Sequence, residues 1–229
     1  MNLSVIIPFY NEEKYLETSV NRVLEIENIE KIFLVNDGST DDSLNIANKL
    51  ANQNETIKIL SSTTNLGKGN ALKIAKKHIN TSHVVIHDAD LEYFPEDIQE
   101  MFDVAIKNPS CLILGTRFEG IKSRKNLYFR TLVANRGLSL LFSIVFFKRV
   151  SDIATCYKLM PSEFFKNYET SEKGFSIEVE LLAKFLKTKN KIKEVPIKYE
   201  GRSYEQGKKI GLKDGFIFVY TIFKYRFVS

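Results

Sequence analysis

Two cysteines, Cys111 and Cys156, in 229 residues are too few for a disulfide framework. The chain runs straight into the strand-like Leu3-Ser4-Val5-Ile6-Ile7 without the basic segment and long apolar core of a secretory leader. Both features predict a cytosolic protein. No Ser/Pro/Gly-rich linker or low-complexity tract divides the chain, so a single domain over residues 1–229 is expected. Nor is there an apolar run of the roughly 20 residues that a spanning helix needs. The longest, residues 137–147, is closed by Arg136 on one side and Lys148-Arg149 on the other. The segment Asn65-Leu66-Gly67-Lys68-Gly69-Asn70 lacks the P-loop pattern, because Ser62 and Gly69 stand where a glycine and a hydroxyl are required. It reads instead as a turn and helix start. His83 and His87, four residues apart on a strand, would lie about 13 Å from each other, too far to share one ion.

Charge is present but unevenly placed. Residues 1–110 carry 10 Lys/Arg against 17 Asp/Glu and residues 111–229 carry 23 against 11, so the halves stand at −7 and +12. The second half should face something anionic. No helix-turn-helix, zinc-finger or RNP-type pattern accompanies that charge, so no nucleic-acid partner is expected. Lipid headgroups or a lipid phosphate fit better. The segment 137–147 and the apolar, aromatic Gly215 to Phe223, followed by Lys224-Tyr225-Arg226, could lie in a membrane interface with their basic ends at the headgroups. Equally, they could be a core helix and a docked C-terminal helix.

In residues 1–110, a nucleotide-binding half, short β-branched runs alternate with helical patterns. Strands are predicted near 3–7, 31–36, 56–60, 82–87 and 111–116, and helices near 12–27, 41–53, 68–79 and 95–107. This alternation implies βαβ units and a mainly parallel α/β sheet. An acceptor half over 111–205 breaks the rhythm: a helix over 125–148, a strand over 151–159, a helix over 175–188 and a strand over 192–197. A Gly/Lys-rich loop and C-terminal tail follow over 206–229.

Within this frame, His87-Asp88-Ala89-Asp90-Leu91-Glu92-Tyr93 closes the apolar run Val84-Val85-Ile86. Two carboxylates one residue apart at a strand's C-terminal edge face the same side, where α/β sheets bind ligands. Such a pair suits a hard divalent cation, Mg²⁺ or Mn²⁺, whose other positions water and nucleotide phosphates can fill. The bland reading is a solvated turn. Two further strand ends, Pro8-Phe9-Tyr10-Asn11-Glu12-Glu13 and Val35-Asn36-Asp37-Gly38-Ser39-Thr40-Asp41-Asp42, should converge on the same crevice.

These segments, with N-L-G-K-G-N-A from Asn65, G-T-R-F from Gly115, F-S-I-E-V-E-L from Phe175, E-V-P-I-K-Y from Glu194 and R-S-Y-E-Q-G-K-K-I-G from Arg202, resemble glycosyltransferase family 2, in the family's order and over nearly the whole chain. The branch that moves a sugar from a nucleotide to a polyisoprenyl phosphate, typified by dolichol-phosphate mannosyltransferase, is similar throughout. The resemblance implies a GT-A fold: a Rossmann-like, mainly parallel sheet flanked by helices, with an appended acceptor-side region and interfacial helices. It also implies a metal-dependent, inverting hexosyltransferase peripheral to the cytoplasmic face of a membrane, with room for a separate membrane-anchor protein.

Carried over by resemblance, Pro8, Tyr10, Glu12, Val35 and Asp37 hold the base and ribose of the donor. Asp88 and Asp90 bind the cation, while Ala89 leaves the backbone free to approach the nucleotide. Arg117, Arg202 and Lys208 are the cations for the diphosphate and the acceptor phosphate, the last two on a loop that folds over the donor as a lid. Glu178, two residues from Glu180 and so on a different helix face, is implied to face the pocket.

A phosphate acceptor, with a second pKa of about 6, is already an anionic nucleophile and can dispense with a base. Where relatives often carry D-x-x-S-G-F-R, this chain keeps Asp152 but has Thr155-Cys156-Tyr157-Lys158. Asp152 would position the acceptor, or act as base in a soluble enzyme that glycosylates a glycan or protein hydroxyl. A non-catalytic nucleotide-sugar sensor is disfavoured by the retention of Asp37, both carboxylates and the Arg202 loop.

Overall fold

Val5, Ile6 and Ile7 are consecutive and all fully buried, so their strand has no solvent face and must sit between two layers. The computed structural model describes residues 1–120, 122, 124–125, 129–202 and 212–227. In it β1 (Leu3–Phe9) lies within a seven-stranded sheet. β2 (Ile29–Asp37) and then β3 (Ile57–Ser62) extend the sheet on one side. β4 (His83–Ile86), β7 (Lys158–Pro161), β5 (Leu112–Thr116) and β8 (Ile192–Pro196) follow in that order on the other. All pairings are parallel except those of β7, which runs antiparallel to both β4 and β5.

The two-residue period of the strands sorts their side chains into two cores. Val5, Ile7, Leu34, Val85 and Leu159 pack under α1 (Leu16–Leu24), α2 (Ser43–Gln53) and α4 (Glu96–Lys107). Ile6, Val35, Val84, Ile86 and Leu114 pack under α3 (Lys68–Lys76), α5 (Phe129–Phe146), α6 (Ser162–Asn167), α7 (Ile177–Lys187) and α8 (Leu212–Phe227). A small parallel ladder joins β6 (Arg124–Lys125) to β9 (Tyr199–Glu200).

Strand order reverses between β1 and β4, because the chain builds β2 and β3 on one side of β1 and then returns to its other side. Such a switch point opens a crevice at the C-terminal ends of the strands, here those of β1, β2 and β4. The strand–helix alternation of the first half matches the expectation. β5, β7 and β8 from the second half complete the same sheet.

The strand expected over 151–159 is a correction. Residues 151–157 are irregular, and the strand is Lys158–Pro161. Side chains from elsewhere in the chain take backbone donors of the irregular segment: Ile153 N–H donates to Ser139 Oγ (3.1 Å) and Cys156 N–H to the Tyr93 hydroxyl (3.2 Å), while the preceding Val150 N–H donates to Ser143 Oγ (3.0 Å). With side chains satisfying those donors, a ladder is not needed to do so. Among the described residues, no helix is long and apolar enough to cross a membrane.

Candidate functional site

The loops after β1 and β2 are laced together at the switch point. Asn11, at φ 53°, donates its backbone N–H to Ser39 Oγ (3.1 Å) and accepts from Thr40 N–H (2.9 Å). Glu12 N–H donates to Ser43 Oγ (2.8 Å). Asp37 is turned toward the next loop: its two carboxylate oxygens accept Leu66 N–H (3.1 Å) and Gly67 N–H (2.7 Å). Pro8 and Tyr10 are half-buried, whereas Val35 is fully buried in the apolar core. Period 2 turns its side chain into the core under α3.

β4 ends at Ile86, and the acidic segment continues as a turn with Leu91 at φ 60°. Burial still alternates: His87 and Ala89 point into the protein, while Asp88 and Asp90 are both partly buried and reach the surface. His87 is held between Ser19 Oγ (2.9 Å at Nε2) and the Tyr157 hydroxyl (2.9 Å at Nδ1). Burial, helped by Arg22 and Lys68, pushes its pKa down to about 3, so it is a neutral structural residue. Asp90 is pushed up to about 7 by burial and by the neighbouring Glu92 and Asp88 carboxylates, which Arg202 only partly offsets.

Arg202 ties this turn to the β1 end. Its Nε donates to Asp90 O (2.9 Å), its Nη2 to Glu12 Oε2 (2.8 Å) and its backbone N–H to Glu92 Oε1 (2.7 Å). The guanidinium also lies 4.2 Å from the centre of the Tyr15 ring. The structure thus brings Glu12, Asp90 and Arg202 into one cluster. Lys208, with 203–211 as a whole, lies outside the described residues.

Arg117 and Asp152 are placed otherwise. Asp152 is fully buried and accepts Arg117 Nε (2.7 Å), Nη2 (2.8 Å) and backbone N–H (3.0 Å). The guanidinium is packed against Tyr199 (4.9 Å), Phe118 (5.4 Å) and Tyr93 (6.0 Å). Here both charges of the pair are spent on each other.

Sequence reasoning missed a second buried network. Lys68 Nζ stands 2.6 Å from Asp88 Oδ1 and 2.8 Å from Glu178 Oε1, and Lys158 pairs with Glu178 Oε2. Burial works against the Lys68 charge, but Asp88 and Glu178 outweigh it and raise its pKa well above the ordinary lysine value. Glu180 faces elsewhere, accepting the backbone N–H groups of Ser171 and Glu172. The available signal was a lysine between two glycines at a helix start. Gly67 (φ +92°) and Gly69 let the backbone press against residues 172–174, and a Cβ at Gly69 would overlap the Glu172 carbonyl oxygen. Gly69 N–H donates to Lys173 O (2.7 Å), so the α3 N-terminus is closed by protein. Gly69→Ala is expected to cost about 1–3 kcal/mol of stability, read as a lower urea midpoint at unchanged slope. A wild-type midpoint would show that the 172–174 segment gives way freely.

Comparison with known proteins now decides the lineage. The family model described as glycosyl transferase family 2 matches residues 4–169. The chain belongs to this family. Among family 2 relatives, the dolichol-phosphate mannosyltransferase of Pyrococcus furiosus is 29% identical over 100% of this chain and 64% of its own length, so the chain spans under two thirds of that relative. The UDP-N-acetylglucosamine–dolichyl-phosphate N-acetylglucosaminyltransferase of Methanococcus voltae is 27% identical over 95% of this chain and 93% of its own. Glucosyl-3-phosphoglycerate synthase from Mycobacterium tuberculosis, solved with UDP, superposes with a TM-score of 0.77 at 16% identity, covering 100% of this chain and 81% of that one. The architecture of this family 2 protein is therefore GT-A. The same neighbour has also been crystallised with Mn²⁺, UDP and phosphoglyceric acid (TM-score 0.76, 17% identity, 100% and 79% covered).

The donor set in this family 2 protein fits a divalent cation. Asp88 and Asp90 offer hard oxygen ligands, and Asp90 is a crowded carboxylate short of positive charge. Among the described residues, no group of three or more His, Cys, Asp or Glu side chains forms a ready ion cage. A Mg²⁺-type ion needs none, since one or two carboxylates plus substrate phosphates commonly hold it.

Proposed function

We propose that this protein transfers a hexose from a nucleoside diphosphate sugar to a polyisoprenyl phosphate at a membrane surface, with inversion at the anomeric carbon and with the chain acting as one catalytic unit. The observation that carries this reading is the convergence of Glu12, Asp90 and Arg202, with the Asp88 carboxylate near Asp90, at the switch point of a GT-A sheet. Two relatives named for dolichyl phosphate support the acceptor class.

In this reading Asp88 and Asp90 hold Mg²⁺ or Mn²⁺, which would supply positive charge to the departing nucleoside diphosphate. Pro8, Tyr10 and the backbone at Ala89 line the donor side, with Asp37 fixing the Leu66-Gly67 turn beside it. Arg202 orients the acidic turn and, with Lys208, takes the phosphate charge once the donor is in place. A phosphate acceptor needs no protein base, which suits an Asp152 whose carboxylate is already held by Arg117. The pair positions the acceptor side through Tyr93 and Tyr199, the latter donating to Glu92 Oε2 (2.7 Å). Asp152 as base for a sugar hydroxyl would first have to leave Arg117.

Radiolabelled GDP-mannose, UDP-glucose and UDP-N-acetylglucosamine, each offered with polyprenyl phosphate and Mn²⁺, test the reading. Label should move to the organic phase with one of them. Transfer only to a soluble glycan or protein would replace it with the hydroxyl-acceptor alternative.

The membrane part rests on two packed helices. On α8, Phe216, Tyr220, Phe223 and Phe227 are exposed at spacings of four, three and four, which is one helix face. On the adjoining α5, Leu140 and Ile144 are exposed in the same way, and Arg136, Lys148 and Arg149 flank them. Co-sedimentation with anionic vesicles is expected at low salt and should weaken as salt rises. Binding by the chain alone would make a separate anchor protein dispensable. No vesicle binding at any salt would favour a soluble enzyme.

A further inference from the structure

Lys68 is fixed between two carboxylates that belong to different parts of the site. Its ammonium is nearly buried, 2.6 Å from Asp88 Oδ1 and 2.8 Å from Glu178 Oε1. The Asp88 contact occupies an oxygen that a divalent cation would take. The Glu178 contact is buried as well: its Oε1 faces the Lys68 ammonium, while Oε2 is engaged by Lys158. Two lysines and two carboxylates therefore balance, with the Lys68 ammonium shared between Asp88 and Glu178.

From this geometry we infer that Lys68 is a built-in counter-ion for Asp88, released from Asp88 and retained by Glu178 Oε1 alone when a divalent cation binds Asp88 and Asp90. The inference rests on the cation reading of those two residues. Buried charge must be matched at every stage, and the exchange does so. With no metal, the ammonium neutralises Asp88. With metal bound, repulsion between two cations sharing one carboxylate drives the ammonium off Asp88, and Glu178, already 2.8 Å from it, keeps it paired. Loop 65–70 has little freedom to carry Lys68 elsewhere, since Gly69 N–H is bonded to Lys173 O and Asp37 holds Leu66 and Gly67. The movement is therefore confined to the side chain.

Competition gives the network an unusual signature: its two members should act on metal affinity with opposite signs. Lys68→Met removes the competitor and is expected to bind Mn²⁺ alone about tenfold more tightly than wild type, within the range of coupling between linked ligands. Glu178→Gln removes the second anionic partner, leaves Lys68 committed to Asp88, and is expected to weaken Mn²⁺ binding by a similar factor. Titration of the free Mn²⁺ electron paramagnetic resonance signal, without nucleotide, reads both in the full chain. Loss of a merely structural network would loosen the site and weaken Mn²⁺ binding in both variants.

Unchanged or weakened affinity in folded Lys68→Met overturns the counter-ion. If that variant does not fold, Glu178→Gln decides, and unchanged or tighter binding there overturns it. Wild-type protein that binds Mn²⁺ no better than Asp90→Ala, with or without added UDP or GDP, removes the cation reading and the inference together. Normal wild-type binding with the wrong sign in the variants removes the inference alone.

Discussion

Asp90→Asn is expected to lower sugar transfer on the order of 10³-fold while leaving the protein as stable as wild type or more so at neutral pH. The rate loss follows from charge. If a cation held by Asp88 and Asp90 neutralises the leaving diphosphate, removing one anionic ligand forfeits several kcal/mol of transition-state stabilisation. The stability gain follows from crowding. Burial and the Glu92 and Asp88 carboxylates raise the Asp90 pKa to about 7, above its ordinary carboxylate range. A carboxyl group raised in the folded state is penalised when ionised, so the penalty is complete above the folded pKa and vanishes below the unfolded one. Asn, neutral and nearly the same size, removes the penalty at every pH. Loss of activity with an unchanged or higher melting temperature is the pattern of a residue kept for function at a stability cost. Transfer assays beside thermal unfolding check it, and a fully active Asp90→Asn would eliminate the metal component.

Asp152→Ala is expected to destabilise the fold by about 3–5 kcal/mol, because it leaves the Arg117 guanidinium buried without its partner. Three hydrogen bonds from Arg117 end on that one carboxylate, and neither side chain has appreciable contact with water. Replacing both partners, as in Arg117→Met with Asp152→Leu, should cost much less, since no unpaired charge remains. Urea unfolding of the two variants gives the comparison, and equal losses would mean that packing rather than charge sets the cost. The double variant has a second use. If it still glycosylates a lipid phosphate, Asp152 is not a base, as an acceptor that is already anionic requires.

Much of the first half could be read from one dimension. Fully apolar triplets such as Val5-Ile6-Ile7 and Val84-Val85-Ile86 announce strands buried on both faces, and the helices between them announce parallel crossovers. Asp88 and Asp90 were visible because strand period 2 carries into the turn, where buried Ala89 separates two partly buried acids that reach the surface. Residues 151–157 deceived for a related reason. Their apolar content resembles a strand, but Ser139 and the Tyr93 hydroxyl, distant in sequence, take the backbone donors of Ile153 and Cys156. For Val35, two residues before Asp37, only the fold shows which face of the sheet its side chain takes, and it is buried in the core.

The amino-acid order by itself determined the α/β class, the family resemblance and the position of the acidic turn, because each is written in local periodicity or in contiguous motifs. Only the tertiary structure decided which charges are open and which are matched. Arg117 finds Asp152 35 residues away and Arg202 finds Glu12 190 residues away. Lys68 meets both Asp88 and Glu178, which approach it from different elements. Electrostatic partnership depends on distance through space and on burial, and neither is encoded in spacing along the chain.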